Sequence, residues 1–437
     1  MQWLFYFFLG KIKEDLIKER EITIAKNYDS DFSFGAVAES DKRGLLSMFV
    51  IMLGFTFFSA SMWTGGTLGI GLTGAEFILA VLLGNLILGI FTGALAHIGA
   101  KTGLSTHLLA KYSFGEKGSY LGSFLLALTQ VGWFGVGVAM FAIPVNKVTG
   151  IDMKLLVAVS GVLMTFTAYF GIKAVTILSA IAVPSIAVLG GTSVVSAINH
   201  AGGLKEVMNI APINSITVMT GVGMCIGSFI SGGSLTADFA RFSKNSRVGV
   251  ISTLVAFFLG NSLMFIFGAV GGKVFGTADI SEVMFSQGII IPAIIVLGFN
   301  IWTTNDNALY SSGLGFSSIT KLPKSKMVML NGVLGTAFAL PIYNNFVGWL
   351  NLLNTLLPGI GAIIICDYFF VKKGEYDKIE NMEFLGVNVI AISAWVIGIA
   401  AAKFIPGIAP INSVIFTMGA YYVGTKVMET KRRSEAC

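Results

Sequence analysis

Residues Phe57 to Gly69 read FFSASMWTGGTLG. The run sits inside an apolar stretch from about residue 44 to residue 72, long enough to cross a membrane as a helix. Yet it sets Ser, Thr and Gly where lipid should surround the chain, and neither Gly nor Ser favours an uninterrupted helix. A later apolar stretch repeats the pattern in GSFISGGSLTADF, Gly227 to Phe239. Backbone groups freed by a break in hydrocarbon must be satisfied by protein, water or ligand. Two broken spans therefore predict a site built around the breaks.

The rest of the chain fits this reading. Of its 437 residues 54% are hydrophobic and only 12% charged, and the mean hydropathy is +0.80. Such a composition excludes a soluble globular domain and indicates an all-α polytopic membrane protein. Apolar segments fall at about 44–72, 76–99, 118–145, 154–172, 174–198, 214–236, 247–271, 286–313, 326–342, 345–371, 385–404 and 409–426. These predict about twelve transmembrane helices, with both termini on one side. Lys and Arg in short loops mark the cytoplasmic side. Beyond residue 40, the connections on the side of the N-terminus carry 19 such residues and the opposite side five: Lys147, Lys154, Lys205, Lys273 and Lys403. Both termini are thus expected in the cytoplasm and the protein in the cell's inner (plasma) membrane. The net charge of +6 reflects this topology and implies no nucleic-acid partner.

The broken segments are the first and the sixth, the spacing expected of two five-helix repeats of opposite topology. Segment three carries Gln130 and Trp133, and segment eight carries Asn300 and Trp302, so an amide followed by a Trp recurs at the same offset. The expected organisation is a cytoplasmic N-terminal extension (1–43), a first repeat (44–198), a second inverted repeat (199–371), two additional helices (372–426) and a cytoplasmic tail (427–437). Within the extension, MQWLFYFFLG is too short to span and lacks a following cleavage site. The next residues, KIKEDLIKEREITIAK, read as an amphipathic surface helix.

Segment eight holds the longest polar run, GFNIWTTNDNA from Gly298 to Ala308. Polar groups are costly in a span and therefore usually functional. Asn300, Thr303 and Thr304 fall on one helical face at i, i+3 and i+4. The two hydroxyls, with an Asn300 oxygen and the carbonyls of Gly54 and Phe57 just before the break near Ser59, offer five neutral oxygens. That set suits a monovalent hard cation such as Na⁺, since a divalent ion would call for carboxylates. The alternative is that the two Thr bond back to the preceding turn.

The central spans hold almost no fixed charge, so the organic ligand is expected to be neutral and recognised by amides and aromatics. Trp133 and Phe229 facing across a cavity would sandwich a flat ring. Gln130, Ser228 and Asn300 would bond the edge of a heterocycle. Asp306 is the sole carboxylate of the run. It reads either as a proton relay, which would make H⁺ the coupling ion, or as a solvated or ion-paired group near the cytoplasmic end of its span. Asp238 and Arg241 are expected to pair in a short cytoplasmic helix, and Pro358-Gly359 to kink segment ten.

FFSASMWTGGTLG, LAKYSFGEKGSY, TQVGWFGVGVAMFAIPV, SFISGGSLTADFARF, FFLGNSLMFIFGA and LGFNIWTTNDNALY together resemble the nucleobase-cation-symport-1 family, in its bacterial cytosine-transporting branch. The similarity runs from about Arg43 to Tyr422. It implies a LeuT-like fold with a five-plus-five inverted repeat and discontinuous helices 1 and 6. It also implies that Trp133 and Phe229 sandwich a pyrimidine, that Gln130, Ser228 and Asn300 bond its edge, and that Gly54, Phe57, Asn300, Thr303 and Thr304 hold Na⁺. The expected activity is import of cytosine by a monomeric symporter working by alternating access, with H⁺ coupling or another nucleobase as the alternative.

No catalytic residue and no cofactor are expected. The three Cys and three His show no disulfide or metal spacing. A base-converting enzyme would need the H-x-E and P-C-x-x-C pair of zinc deaminases, which the sequence lacks. Broken helices around a stacking site also suit occlusion better than conduction through a channel.

Overall fold

A computed structural model describes residues 32–170 and 172–436; the expected surface helix of the extension lies outside them. Among the described residues the regular structure is helical. The first apolar segment forms α1 (Leu45–Thr56) and α2 (Ser59–Gly71), which meet at a bend of 55°. The second to fifth are α3 (Gly74–Thr102), α5 (Gly118–Thr149), α6 (Met153–Ala168) and α7 (Ile172–Ala201), with α4 (Thr106–Phe114) in the connection before α5. After α8 (Leu204–Asn209), segment six is split into α9 (Val218–Gly227), α10 (Ile230–Ser234) and α11 (Thr236–Ala240). Segment seven joins α12 (Ser246–Val255) to α13 (Ser262–Phe275) through a π-helical turn, and α14 (Ile280–Ser286) leads into α15 (Ile290–Thr320), segment eight. Segment nine is α16 (Lys324–Ala337) with α17 (Ala339–Asn344). Segment ten is α18 (Phe346–Leu356) and α19 (Pro358–Cys366), divided before the expected Pro358. The last two segments are α20 (Val389–Phe404) and α21 (Ala409–Ala436).

Each apolar segment thus coincides with a helix or a run of consecutive helices. Among the described residues, five stretches are long and apolar enough to cross a membrane unaided, and the bent pair α1–α2 makes a sixth. The other segments are shorter, more polar or broken.

The packing shows the inverted repeat directly. Exchanging each segment for the one five places on turns the α2–α13 contact (one with seven) into α9–α3 (six with two), and both exist. It turns α17–α5 (nine with three) into α15–α6 (eight with four), again both present. The α5–α15 and α6–α16 pairs map onto themselves.

Glycine makes the closest of these contacts possible. A Cβ on Gly268 of α13 would lie 1.8 Å from the Met62 carbonyl oxygen, and one on Gly69 of α2 would lie 2.4 Å from that of Ala269. Only small residues let two helix backbones approach so closely in lipid. Lys273 then reaches across this seam and donates to the carbonyls of Gly69 and Leu72, closing the C-terminal end of α2.

Candidate functional site

Both breaks are backbone departures at named residues. Phe57 (φ −78°, ψ 87°) and Phe58 (φ −128°, ψ 129°) leave the helical region between α1 and α2. Phe229 (φ −130°, ψ −1°) does so between α9 and α10. The freed groups at the first break are taken up by side chains from elsewhere. Asn300 of α15 donates through Nδ2 to the Phe57 carbonyl and accepts through Oδ1 from Ser59 Oγ at 2.7 Å. Thr56 Oγ1 lies within bonding distance of the carbonyl of Ala256, in the π-helical turn of segment seven.

Between the breaks lies a cavity walled by both broken segments, α5 and α15. Four of the five residues expected to bind the organic ligand line it: Gln130 and Trp133 from α5, and Ser228 and Phe229 from the second break. All four are at most 5% exposed. Trp133 donates through Nε1 to Ser231 Oγ at 2.7 Å and rests edge-on against Phe58 and Phe346, with ring centroids 5.3 and 5.9 Å away. Phe229 is braced edge-on by Phe55 and Phe257. Each ring of the expected sandwich is therefore held by its own pair of aromatics. Ser228 Oγ donates to the Cys225 carbonyl, which leaves its oxygen free to accept.

Asn300, the fifth, is not among the lining residues. Its side chain is engaged at the first break, where it joins α15 to Phe57, one of the residues expected to hold the cation, and to Ser59. Thr304, expected to serve the cation alone, does line the cavity.

Thr303 and Thr304 both bond back to the preceding turn, to the carbonyl of Phe299 and to those of Asn300 and Ile301. Such bonds occupy the hydroxyl proton only, so the oxygen lone pairs remain available to a cation. Gly54 and Phe57 close α1, where the helix cannot satisfy its last carbonyls itself. The donor set is neutral oxygen throughout, and no cluster of three His, Cys, Asp or Glu exists among the described residues.

Two further amides face the cavity without having been singled out. Asn305 donates to the Phe134 carbonyl, and Asn307 is 2% exposed with neither Nδ2 nor Oδ1 bonded. Gln130 Nε2 is likewise buried and unbonded. Leaving such groups unmade costs about 1–3 kcal/mol each, a cost a ligand with a matching edge would remove. The helical period contained the signal for Asn307. It lies three residues beyond Thr304 and seven beyond Asn300, on the same face.

Asp306 overturns one of its two expected readings. It is neither solvated nor paired with a basic residue. It is fully buried, its Oδ1 accepts from Thr167 Oγ1 at 2.8 Å, and Oδ2 has no partner. The reason is helix length: α15 continues to Thr320, beyond the apolar segment, so Asp306 lies near the middle of its 31 residues. Trp302 faces away from the cavity as expected and donates to the same Thr167 hydroxyl. Asp238 and Arg241 lie in and just after the short α11, and Arg241 Nε donates to the Asp238 backbone carbonyl; the Asp238 carboxylate accepts from the Thr106 amide, and Arg241 also reaches the Tyr310 hydroxyl and the Phe32 carbonyl.

Two helices broken at a central cavity, within an inverted repeat of five segments, define the LeuT-like transporter fold. Solved structures agree on the fold. Mhp1, a nucleobase-cation-symport-1 transporter in a closed conformation with bromovinylhydantoin bound, superposes with a TM-score of 0.81 at 20% identity, covering 91% of this chain and 96% of that one. A Na⁺-coupled sialic acid symporter gives 0.68 at 12% identity, covering 93% and 94%.

The chain belongs to the nucleobase-cation-symport-1 family: residues 36–425 match the family described as permeases for cytosine/purines, uracil, thiamine and allantoin. Among its relatives, the cytosine permease of Escherichia coli strain K12 is 55% identical over 403 residues, 92% of this chain and 96% of that protein. The hydantoin permease of Microbacterium maritypicum is 22% identical, over 78% and 77%.

Proposed function

We propose that this nucleobase transporter imports cytosine across the inner membrane by alternating access, driven by Na⁺. The observation that carries the proposal is the pairing of unbonded, buried amides at Gln130 and Asn307 with the braced rings of Trp133 and Phe229. A flat neutral ring with donors and acceptors on its edge answers both features. The cytosine permease of E. coli, over half identical across nearly its whole length, supports cytosine as that ring.

Na⁺ would bind at the oxygens of Gly54, Phe57, Asn300, Thr303 and Thr304, joining the first break to α15. Asn300 already spans these elements, so a cation there would stiffen the same contact. The neighbouring cavity would then bind substrate more tightly, because a ligand shifts a conformational equilibrium only through its differential affinity for the two states. The enhancement must be reciprocal.

The test is a thermal-shift panel of nucleobases on the purified protein with Na⁺ or choline, together with counterflow of labelled cytosine in vesicles. Cytosine should stabilise more strongly in Na⁺ than uracil does, and preloaded cytosine should accelerate exchange. If cytosine stabilises equally in both salts, and T303A/T304A protein binds it as wild type does, Na⁺ coupling is refuted. Absence of any cytosine shift refutes the substrate.

A further inference from the structure

A second cavity lies on the outward side of the first. Its position follows from the helices that line both. On α5 the central cavity uses Gln130 and Trp133, and the second uses Met140 and Pro144, seven and eleven residues beyond Trp133. At 1.5 Å per residue that is roughly 10 and 16 Å farther along. On the antiparallel α15 the order reverses, with Thr304 inside and Leu297 and Ile301 outside. Asp279 and Ser281 complete the outer wall from the connection that the Lys and Arg distribution assigns to the exterior.

The aromatic partition between the two cavities is thin. Phe346, the first residue of α18, lies edge-on to Trp133 at 5.9 Å on one side and stacks on Trp63 at 5.2 Å and 17° on the other. Neighbouring residues of the first break divide in the same way, Phe58 lining the central cavity and Ser59 the outer one.

The outer cavity carries recognition chemistry of its own. Trp63 and Tyr343 present aromatic surface, with centroids 5.4 Å apart. Asp279 Oδ1 accepts from the Ser281 amide, while Oδ2 has no protein partner among the described residues. The same holds for the Tyr343 hydroxyl and the Trp63 indole N–H. A carboxylate beside an indole, a phenol and a serine suits a flat heterocycle bearing an amino group and disfavours an anion.

We propose that this cavity is a second, weaker binding site for the transported aminopyrimidine, an antechamber that holds the base before Phe346 moves aside. The inference rests on the transport reading above. Asp279 gives the antechamber its preference, accepting from the exocyclic amine of cytosine where uracil offers a carbonyl.

Equilibrium binding of labelled cytosine to the full-length protein in nanodiscs with saturating Na⁺ tests it. Wild type should bind a tight and a weak equivalent. W133A should weaken the tight class roughly 5- to 150-fold and leave the weak one, and W133A/W63A should weaken both. D279N, nearly isosteric and distant from the central cavity, should weaken the weak class about tenfold or more through loss of a charge-assisted hydrogen bond. Its tight class and melting temperature should match wild type. A single equivalent in wild type at saturation, or a weak class indifferent to W63A and D279N, overturns the antechamber while leaving the central site intact. Retention of the tight class at wild-type affinity by folded W133A would instead overturn the transport reading.

Discussion

Trp133 offers the sharpest test of how the central cavity works, because its ring and its N–H have separable jobs. Base–aromatic stacking is worth about 1–3 kcal/mol by alanine substitution, so W133A should raise the dissociation constant for cytosine roughly 5- to 150-fold. The same change removes the edge contacts to Phe58 and Phe346, each worth about 0.5–1.5 kcal/mol. Those contacts exist with or without ligand, so their loss lowers the melting temperature and leaves the binding ratio alone. W133F separates the jobs further. It keeps a ring against Phe58 and Phe346 but ends the bond to Ser231 Oγ, a neutral hydrogen bond worth about 0.5–1.5 kcal/mol. Ser231 also lines the cavity, and its freed hydroxyl can turn toward the ligand. Cytosine affinity in W133F should therefore stay within about tenfold of wild type while W133A falls well below it. The assay is binding of labelled cytosine in saturating Na⁺, with each variant's melting temperature as the folding control. Equal losses in the two variants would show that the tether to Ser231, and not stacking, sets affinity. No loss in folded W133A would refute the sandwich.

Three further outcomes follow from the geometry. N300A strips the first break of its bonds to Phe57 and Ser59; Na⁺ affinity and the Na⁺ dependence of cytosine binding should fall together, read by titrating each ligand against the other. G137A places a Cβ 2.1 Å from Asn305 Oδ1, so Asn305 must leave its position and cytosine affinity should drop by more than the melting temperature does; unchanged affinity would place Asn305 outside ligand recognition. His107, in the α4 connection outside the spans, is held below the usual imidazole range by burial, with Asp238 opposing and Arg241 reinforcing. Because the unfolded chain takes up a proton near pH 6.5 that the folded His107 refuses, stability should be full above that pH. It should decline by about 1.4 kcal/mol per unit as pH falls through it. Thermal melts from pH 8 to pH 5.5 should be flatter in H107Q.

The architecture was legible because two rules act over long stretches. Apolar length located the helices, and the misplaced Ser and Gly of segments one and six located the breaks. What escaped were consequences of the breaks themselves. Phe55 and Phe58 both line the cavity, a pairing helical phase also permits, but Ser59 next to Phe58 opens onto a different cavity. Non-helical backbone at Phe57 and Phe58 shifts the angular register between α1 and α2, so no single helical wheel describes both sides. The solvated or ion-paired reading of Asp306 fails for a simpler reason. Its helix outlasts its apolar segment, because the Ser- and Gly-rich turns after Ala308 pack against protein and need no hydrophobicity.

Asn300 shows why residue type alone could not assign roles along the polar run. A residue that can both donate and accept suits a heterocycle edge, a cation shell and a backbone break equally well. The structure commits it to the break, donating to Phe57 and accepting from Ser59. On the proposed reading edge recognition then falls to amides with no protein partner, Gln130 and Asn307, on the two helices that pass the cavity unbroken. Such a division has a mechanical consequence. On the proposed reading the ligand-facing amides ride on continuous helices, the cation carbonyls of Gly54 and Phe57 lie where a helix is interrupted, and Asn300 ties that interruption to α15. Movement of α1 during transport must therefore strain or break the Asn300 bonds before it disturbs Gln130 or Asn307, so release of the cation is expected to precede release of the base.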